Sequence, residues 1–111
     1  MGEPAPLKAF EENLAGGPKE RYTFRLYVTG ATARSGRAIE NAKALCERYL
    51  RGRYDLEIVD IYQRPDLAEG DAILVAPTLI KQRPLPLRRL VGDLSDSERV
   101  LVRLDLLPVT P

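Results

Sequence analysis

The sequence contains no histidine and no tryptophan, and it has a single cysteine, Cys46. Without histidine, one chain cannot assemble a Ser-His-Asp triad, a Cys-His pair or the common histidine-containing zinc sites. With one cysteine, it can form neither an intramolecular disulfide nor a Cys-x-x-Cys redox pair. The carboxylates have no distinctive metal-binding spacing, so we expect neither a metal nor a cofactor.

An excess of charge of one sign and a long apolar run are also missing. Seventeen Lys+Arg against sixteen Asp+Glu give a net charge of +1 at pH 7, so no overall field favours nucleic acid or an anionic membrane as a partner. The apolar runs are far shorter than the roughly 20 residues that cross a bilayer, and the first residues lack the apolar segment of a signal peptide. We therefore expect a cytoplasmic protein that binds neither nucleic acid nor membranes.

Two strands and a helix follow an N-terminus rich in helix and strand breakers. Prolines and glycines are frequent in residues 1–20, which we interpret as a flexible arm. Residues 22–28 alternate apolar and polar side chains with the period of a strand, and residues 39–50 carry an apolar stripe typical of a helix that closes near Gly52. Residues 54–61 have apolar side chains on both faces, as in a strand that is covered on each side. Together these segments predict a βαβ unit.

The second half of the chain predicts a short helix and then a hairpin. Pro65 and Gly70 mark the two ends of a helix of one or two turns. The apolar run that follows is interrupted by Pro77, which cannot donate to the hydrogen-bond ladder of a central strand. Residues 82–86 have turn composition, and residues 87–91 return as the second strand of the hairpin.

The last segment has the pattern of a helix and of a strand at once. Ser95 and Glu98 have the spacing of a helix capping box. Leu101, Leu104 and Leu107 continue from it with helical spacing. In the alternative strand pattern, the apolar positions of one side are Val100, Val102, Leu104 and Leu106. Local signals are therefore compatible with one structure selected by tertiary packing and with two structures of similar stability.

This order of elements is that of a thioredoxin-like α/β domain, which we place at residues 21–108 with a short tail at 109–111. In that fold, the proline after the third apolar run is commonly cis and faces the active-site loop, so Pro77 is the cis-proline candidate. Redox members carry two cysteines between the first strand and its helix, but residues 29–36 contain none. Cys46 lies on the apolar stripe of the helix, where burial raises the pKa of a thiol and blocks attack. We therefore expect a protein that is not an enzyme and that works through binding surfaces.

Several sequence strings are more specific than this general order. They are Leu-Tyr-Val-Thr-Gly at 26–30, Val-Asp-Ile at 59–61, Pro-Asp-Leu-Ala-Glu at 65–69, Ala-Pro-Thr-Leu at 76–79 and Arg-Arg-Leu-Val-Gly-Asp-Leu-Ser at 88–95. Their content and order closely resemble the KaiB family of clock proteins over about residues 22–107. The resemblance implies a non-enzymatic regulator of a KaiC-type ATPase that has two folds. One is an oligomeric resting form, a homodimer or homotetramer with the order βαββααβ, and the other is a rare thioredoxin-like monomer, βαβαββα, that binds the ATPase.

The resemblance also offers an explanation for the double pattern of the last segment. In the family, the stretch that corresponds to residues 95–107 is a strand in the resting form and a helix in the binding form. The candidate fold-switch residues are Ser95, Glu98, Val100, Val102, Leu104 and Asp105. A partner can raise a minor form from about 1% to about 99% of the population only if it binds that form better by about 5.5 kcal/mol.

The partner surface of the family lies over the early βαβ half and the basic hairpin. The contact residues that the resemblance implies are Arg25, Arg37, Lys81, Arg88 and Arg89, for which plain solvation is the alternative interpretation. It implies three partners: the KaiC-type ATPase, a competing clock-output histidine kinase and, where present, a KaiA-like protein. Arg103 stands where clock members can carry glycine, so the timing served can be circadian or stress-related. The competing hypothesis is a redox-inert thioredoxin-like sensory module that never switches fold.

Overall fold

The computed structural model describes residues 20–106. The expected arm, except for its last residue, and the expected tail lie outside these residues, as does Leu107 of the helical stripe. The elements in chain order are β1 (Tyr22–Val28), α1 (Ala33–Tyr49), β2 (Tyr54–Asp60), α2 (Pro65–Gly70), β3 (Thr78–Arg83), β4 (Arg88–Val91) and α3 (Ser97–Arg103). This α/β arrangement confirms the predicted fold class, and of the two expected orders the chain has βαβαββα.

The four strands form one sheet in the order β2-β1-β3-β4. β1 pairs in parallel with β2 and antiparallel with β3, and β3 pairs antiparallel with β4. β1 is therefore a central strand, and its side chains point alternately to the two faces of the sheet. The core accordingly has two parts, one on each face. On the α1 face, Phe24 and Leu26 pack with residues of α1 and α3. On the α2 face, Tyr27 packs with Val59, Ile80 and part of the short helix α2.

Side-chain hydroxyls fix the start of α1. Thr32 is the N-cap residue, and its Oγ1 accepts a hydrogen bond from the backbone N–H of Ser35 at 3.1 Å. The Oγ of Ser35 in turn accepts from the N–H of Thr29 at 3.1 Å, which ties the end of β1 to the helix. The helix ends at Tyr49, and Gly52 then adopts a φ of +77°, which glycine accommodates without steric cost.

The structure refines two interpretations of apolar runs. Strand β2 has apolar side chains on both faces of the sheet, as predicted, with Leu56 against the α1-face core and Val59 in the α2-face core. The cover is incomplete, because β2 lies at the edge of the sheet, where Glu57 is exposed and Ile58 is 36% exposed. The apolar residues that precede Pro77 belong to a loop, because β3 begins at Thr78, and Leu74 is 94% exposed.

The last segment is a helix in this structure. Asp96, and not Ser95, is the N-cap residue, because the Oδ1 of Asp96 accepts from the N–H of Arg99 at 3.2 Å. The predicted capping box is therefore misplaced by one residue. The core-facing side chains of this segment are Val100, Leu101, Leu104 and Leu106.

A Schellman motif closes the helix α3. The N–H of Leu106 donates to the carbonyl of Leu101 at 2.7 Å, and the N–H of Asp105 donates to that of Val102 at 3.1 Å. The residue at the left-handed position of this motif is Asp105, with a φ of +62°. Glycine usually occupies that position, so the chain retains an aspartate there at a steric cost.

Candidate functional site

The ends of three strands meet around Pro77. Val28 at the end of β1 lies opposite Asp60 at the end of β2, and Tyr27 lies opposite Thr78 at the start of β3. The Ala76–Pro77 peptide bond is cis, and Pro77 itself is buried. Its carbonyl accepts from the N–H of Gly92 at 2.9 Å, so the loop before β3 is joined to the turn after β4.

No thiol lies at this end of the sheet within the described part of the chain. Residues 29–36, which join β1 to α1, contain no cysteine. The free Cys46 is buried in the α1-face core, and burial, together with the charge of Glu47, raises the pKa of its thiol to about 12. The proline position of a thioredoxin fold is therefore present here without the chemistry of disulfide exchange.

Three apolar side chains are exposed close to Pro77. Leu74 is 94% exposed, Tyr62 75% and Val75 51%. A shallow groove of about 490 Å³ lies between the loop after β2, the helix α2 and the loop before β3. It is lined by Ile61, Tyr62, Pro65, Ala68, Glu69, Ala72, Ile73 and Leu74. We call the surface formed by Gly30, Tyr62, Leu74 and Val75, beside the buried Pro77, the Pro77 end. Clustered exposed apolar side chains on a small domain are typical of a protein-docking site.

Two of the five basic candidates, Arg25 and Arg89, contact the loop between α2 and β3, which carries Leu74 and Val75. The Nη1 of Arg25 donates to the Oδ2 of Asp71 at 3.1 Å, while its Nε donates to Glu57 at 2.9 Å. Arg89 donates to the backbone carbonyls of Asp71 and Ala72. Arg25 and Arg89 are 64 positions apart in the sequence, and their side chains both contact the segment Asp71–Ala72.

Tyr27 adds a hydroxyl to this cluster. It donates to the Asp71 carboxylate and lies 2.9 Å from the carbonyl of Leu67 in α2. Burial, followed by the hydrogen bond to Asp71, raises the pKa of Tyr27 above its usual value, so the phenol keeps its proton. We call the set of Arg25, Tyr27, Asp71 and Arg89 the Asp71 cluster.

Arg37 lies apart from these two, on α1. Its Nε donates to the Oδ2 of Asp93 at 3.2 Å, and the amide of Asn41 donates to the carbonyl of Asp93 at 2.8 Å. The hydrogen bond from Ser95, and then that from Arg37, hold the pKa of Asp93 below its usual value. These contacts attach the turn before α3 to α1.

Lys81 and Arg88 converge on Asp105 at the end of α3. The Nε of Arg88 donates to the Oδ2 of Asp105 at 2.7 Å, and the Nζ of Lys81 lies 3.8 Å from the same oxygen. Lys81 is 2% exposed, and burial lowers its pKa although Asp105 opposes that effect. Lys81 is therefore inaccessible to a partner in this form.

The candidate fold-switch residues divide between the core and the surface. Val100 and Leu104 are buried, Val102 and Asp105 are half-buried, and Ser95 is exposed. Glu98 is exposed in the first turn of α3, where its negative charge interacts favourably with the helix dipole.

The apolar residues of the Pro77 end were not among the sequence-based site candidates. Leu74 and Val75 belonged to an apolar run in the sequence, and such a run gives no sign of exposure. Tyr62 lies in the turn after β2, where its N–H donates to the Oδ1 of Asp60 at 2.9 Å. The useful signal was the pair of large apolar residues two and three positions before Pro77, which directly precedes β3.

Neither a metal cluster nor a membrane span was found in residues 20–106. No group of three or more cysteine, aspartate or glutamate side chains in that range could hold a metal ion. No helix there is long and apolar enough to cross a membrane.

Comparison with solved structures places the fold. The N-terminal domain of SasA from Synechococcus elongatus matches with a TM-score of 0.64 at 20% identity, covering 83% of this chain and 90% of that one. Fasciola hepatica thioredoxin matches with a TM-score of 0.62 at 15% identity, covering 85% of this chain and 88% of the other. At these identities the similarity shows a thioredoxin-like fold.

Sequence comparison is more specific. The KaiB domain family model matches residues 25–106. The circadian clock oscillator protein KaiB of Synechococcus elongatus is 49% identical over 90 residues, which cover 81% of this chain and 88% of that protein. The protein of the same name from Prochlorococcus marinus is also 49% identical over 90 residues, covering 81% of this chain and 76% of its own length. These matches confirm the resemblance seen in the sequence strings, and the chain belongs to the KaiB family of circadian clock proteins.

Proposed function

We propose that this chain is a non-enzymatic, cytoplasmic regulator that binds a KaiC-type ATPase and adjusts its phosphorylation and ATPase cycle. The observation that carries the proposal is the exposed apolar surface of the Pro77 end, in a KaiB-family chain whose described part has no thiol at that position. An apolar surface that water covers in the free monomer gains free energy when a partner covers it.

The Asp71 cluster would keep this surface ready for docking. Arg25 and Tyr27 hold the side chain of Asp71, and Arg89 holds the backbone at Asp71 and Ala72. The loop that presents Leu74 is therefore fixed before the partner arrives, which reduces the entropy lost on binding. Arg37 stays a candidate contact with the ATPase, whereas Lys81 and Arg88 act by holding Asp105 at the end of α3.

The docking proposal can be tested with a matched pair of charge insertions. We expect Leu74→Glu to weaken the complex with the KaiC-type ATPase of the same genome by about tenfold or more, because it buries a carboxylate in an apolar contact. Leu85→Glu is the control, because Leu85 is also exposed, at 65%, but lies in the β3–β4 turn at the opposite end of the sheet. Affinity is measured by pull-down and fluorescence anisotropy with ATP and with ADP. Equal affinities for the two variants would contradict this docking surface.

We also propose that residues 95–107 switch between the helix described here and a strand in a resting homodimer or homotetramer. The double sequence pattern of this segment and the steric cost at Asp105 support two forms of similar stability. Asn41 favours the helical form, because its amide reaches the Asp93 carbonyl only while the turn before α3 lies against α1.

Removing that contact tests the switch. Asn41→Ala deletes one hydrogen bond worth about 1 kcal/mol, which changes the ratio of the two forms by about fivefold. Two-dimensional NMR measures the ratio from slowly exchanging peaks of residues 95–106. Lys43→Ala, at an exposed position of the same helix, is the control and is expected to leave the ratio unchanged. The switch would be contradicted if every variant gave a single set of peaks for residues 95–106 and if that set showed the same helical structure in the free and the ATPase-bound protein.

The similarity to the SasA N-terminal domain supports one alternative. A redox-inert sensory module with this fold would bind the same class of partner and never change form. It predicts ATPase binding without slow exchange, so the NMR experiment separates the two. We favour the KaiB-type regulator because the family match continues through α3 to residue 106. In such a system a clock-output histidine kinase would compete for the ATPase, and a KaiA-like protein would be a further partner where one is present.

A further inference from the structure

Strand β4 has one side without a neighbouring strand in residues 20–106. It pairs with β3 on one side and ends the sheet. The N–H of Gly92 donates to the carbonyl of Pro77, and backbone hydrogen bonds alternate along an antiparallel pair. Leu90 and Arg88 therefore bond to β3, and the backbone N–H and C=O groups of Arg89 and Val91 point to the open side. These four groups are available to an added strand.

A groove runs beside this open edge, between β4 and α3. It has a volume of about 390 Å³. Leu90, Leu94 and Val100 form its apolar base. This groove lies on the α3 side of the hairpin, and its lining shares no residue with that of the groove at the Pro77 end.

Two arginines of α3 line the groove. Arg99 and Arg103 are four positions apart on the exposed side of α3, and neither makes an ion pair with any residue of the range 20–106. The side chain of Arg89 points to the other face of the sheet, where it donates to the carbonyls of Asp71 and Ala72, so it contributes only its backbone to this edge. The carboxylate in the lining is Asp96, whose Oδ1 caps α3. The groove therefore has an excess of positive charge beside free backbone groups.

We propose that the open edge of β4 binds an extended acidic segment of another protein, which adds to the sheet as a fifth strand. Backbone hydrogen bonds from Arg89 and Val91 align the segment. Among its side chains that face α3, carboxylates pair with Arg99 and Arg103 and an apolar side chain enters the groove over Leu90. The arginines also discourage pairing with a second copy of β4, because two such edges repel each other. The site does not depend on the ATPase proposal.

The test uses a fluorescein-labelled octapeptide, Glu-Thr-Val-Thr-Glu-Thr-Val-Thr, and measures its binding by fluorescence anisotropy. Its glutamates and valines share one face of a strand. We expect it to bind, and we expect the double variant Arg99→Glu/Arg103→Glu to weaken binding by about tenfold or more. Arg34→Glu/Arg51→Glu is the control with the same change in net charge at exposed positions away from the groove, and it is expected to change affinity less than about twofold. Leu74→Glu should bind the peptide normally, which separates this site from the Pro77 end.

Two further measurements separate strand addition from charge attraction alone. A peptide with prolines in place of the valines keeps its charge but cannot form the ladder, so we expect it not to bind. Amide hydrogen exchange at Arg89 and Val91 should slow when the octapeptide is added. Equal binding of the proline peptide, equal weakening by the control variant, unchanged exchange at these two amides or no binding at millimolar peptide would each overturn the proposal.

Discussion

Arg25 in β1 and Asp71 in the loop before β3 are 46 positions apart, and their side chains meet at 3.1 Å. Tyr27 donates to the same carboxylate, so two side chains of the central strand hold the loop that carries Leu74. The side chain of Arg25 is 21% exposed and that of Asp71 is 30% exposed, so solvent screens this pair less than an ordinary surface ion pair.

Removing the carboxylate of Asp71 should destabilise the fold. We expect Asp71→Ala to lower the free energy of unfolding by about 1–3 kcal/mol, because Tyr27 and Arg25 lose a shared acceptor in a partly buried place. Asp66→Ala is the control, because Asp66 pairs with Arg64 where both side chains are more than half exposed, and it should cost less than about 1 kcal/mol. Urea unfolding measures both, and equal losses would show that the cluster adds nothing beyond a surface pair.

Glycine at position 72 should stabilise the loop before β3. Ala72 is exposed and has a φ of +55°, in the left-handed region that costs a non-glycine residue about 1–2 kcal/mol. The entropy that glycine loses on folding offsets part of this relief. Ala72→Gly should therefore raise the free energy of unfolding by up to about 1 kcal/mol and move the midpoint of urea unfolding to a higher concentration. Ala72→Val should lower it, because a branched Cβ fits this conformation worse. A lower midpoint for the glycine variant would contradict this account of the loop.

The thiol of Cys46 should react slowly in the folded chain. Its pKa is raised to about 12 by burial and by Glu47, so at pH 8 it holds about a hundredfold to a thousandfold less thiolate than an unperturbed thiol. Labelling by a maleimide at pH 8 should therefore be slower by at least that factor in the native chain than in urea, and it should accelerate as the pH rises. Complete labelling of native protein within minutes would contradict the burial of this thiol and would make Cys46 a candidate reactive group.

The contact between α1 and the turn before α3 should depend on pH in acid. The folded-state pKa of Asp93 lies below its ordinary value of 3.8, chiefly through Ser95 and then Arg37. A carboxylate with a depressed folded pKa adds stability that is fully present above its unfolded pKa and is lost as the pH falls through the folded value. Asp93→Asn should therefore be less stable than the parent chain at pH 6 and equally stable near pH 2. A difference that persists undiminished at pH 2 would exclude this linkage.

Local patterns were sufficient for most of the elements. The alternation in 22–28 and the apolar stripe in 39–50 predicted β1 and α1, because each depends on side chains that face one core. The exposure of Ile58 could not be predicted, since sheet position is decided by which strands pair, and a parallel partner occupies one side of β2 only. The helix of the last segment was also undetermined, because Val100 and Leu104 satisfy both periods.

The site was less predictable than the fold. Arg25, Arg37 and Arg88 were single charges in the sequence, and nothing local indicated that each would meet an aspartate between 17 and 56 positions away. Such pairs depend on tertiary contacts, which the periodicity of a single segment does not contain. The burial of Lys81 has the same cause, since it depends on α3 crossing the hairpin.

The helix α3 and the three residues after it place four buried side chains on the α1 face of the sheet, and removing them would expose apolar surface. Leu79 and Leu90 would then face water unless another apolar surface replaced α3. A second molecule of this chain is the nearest source of such a surface, so leaving the helical arrangement would be linked to self-association. Dilution would then favour the form described here, and the population of each shape would depend on how much protein the cell contains.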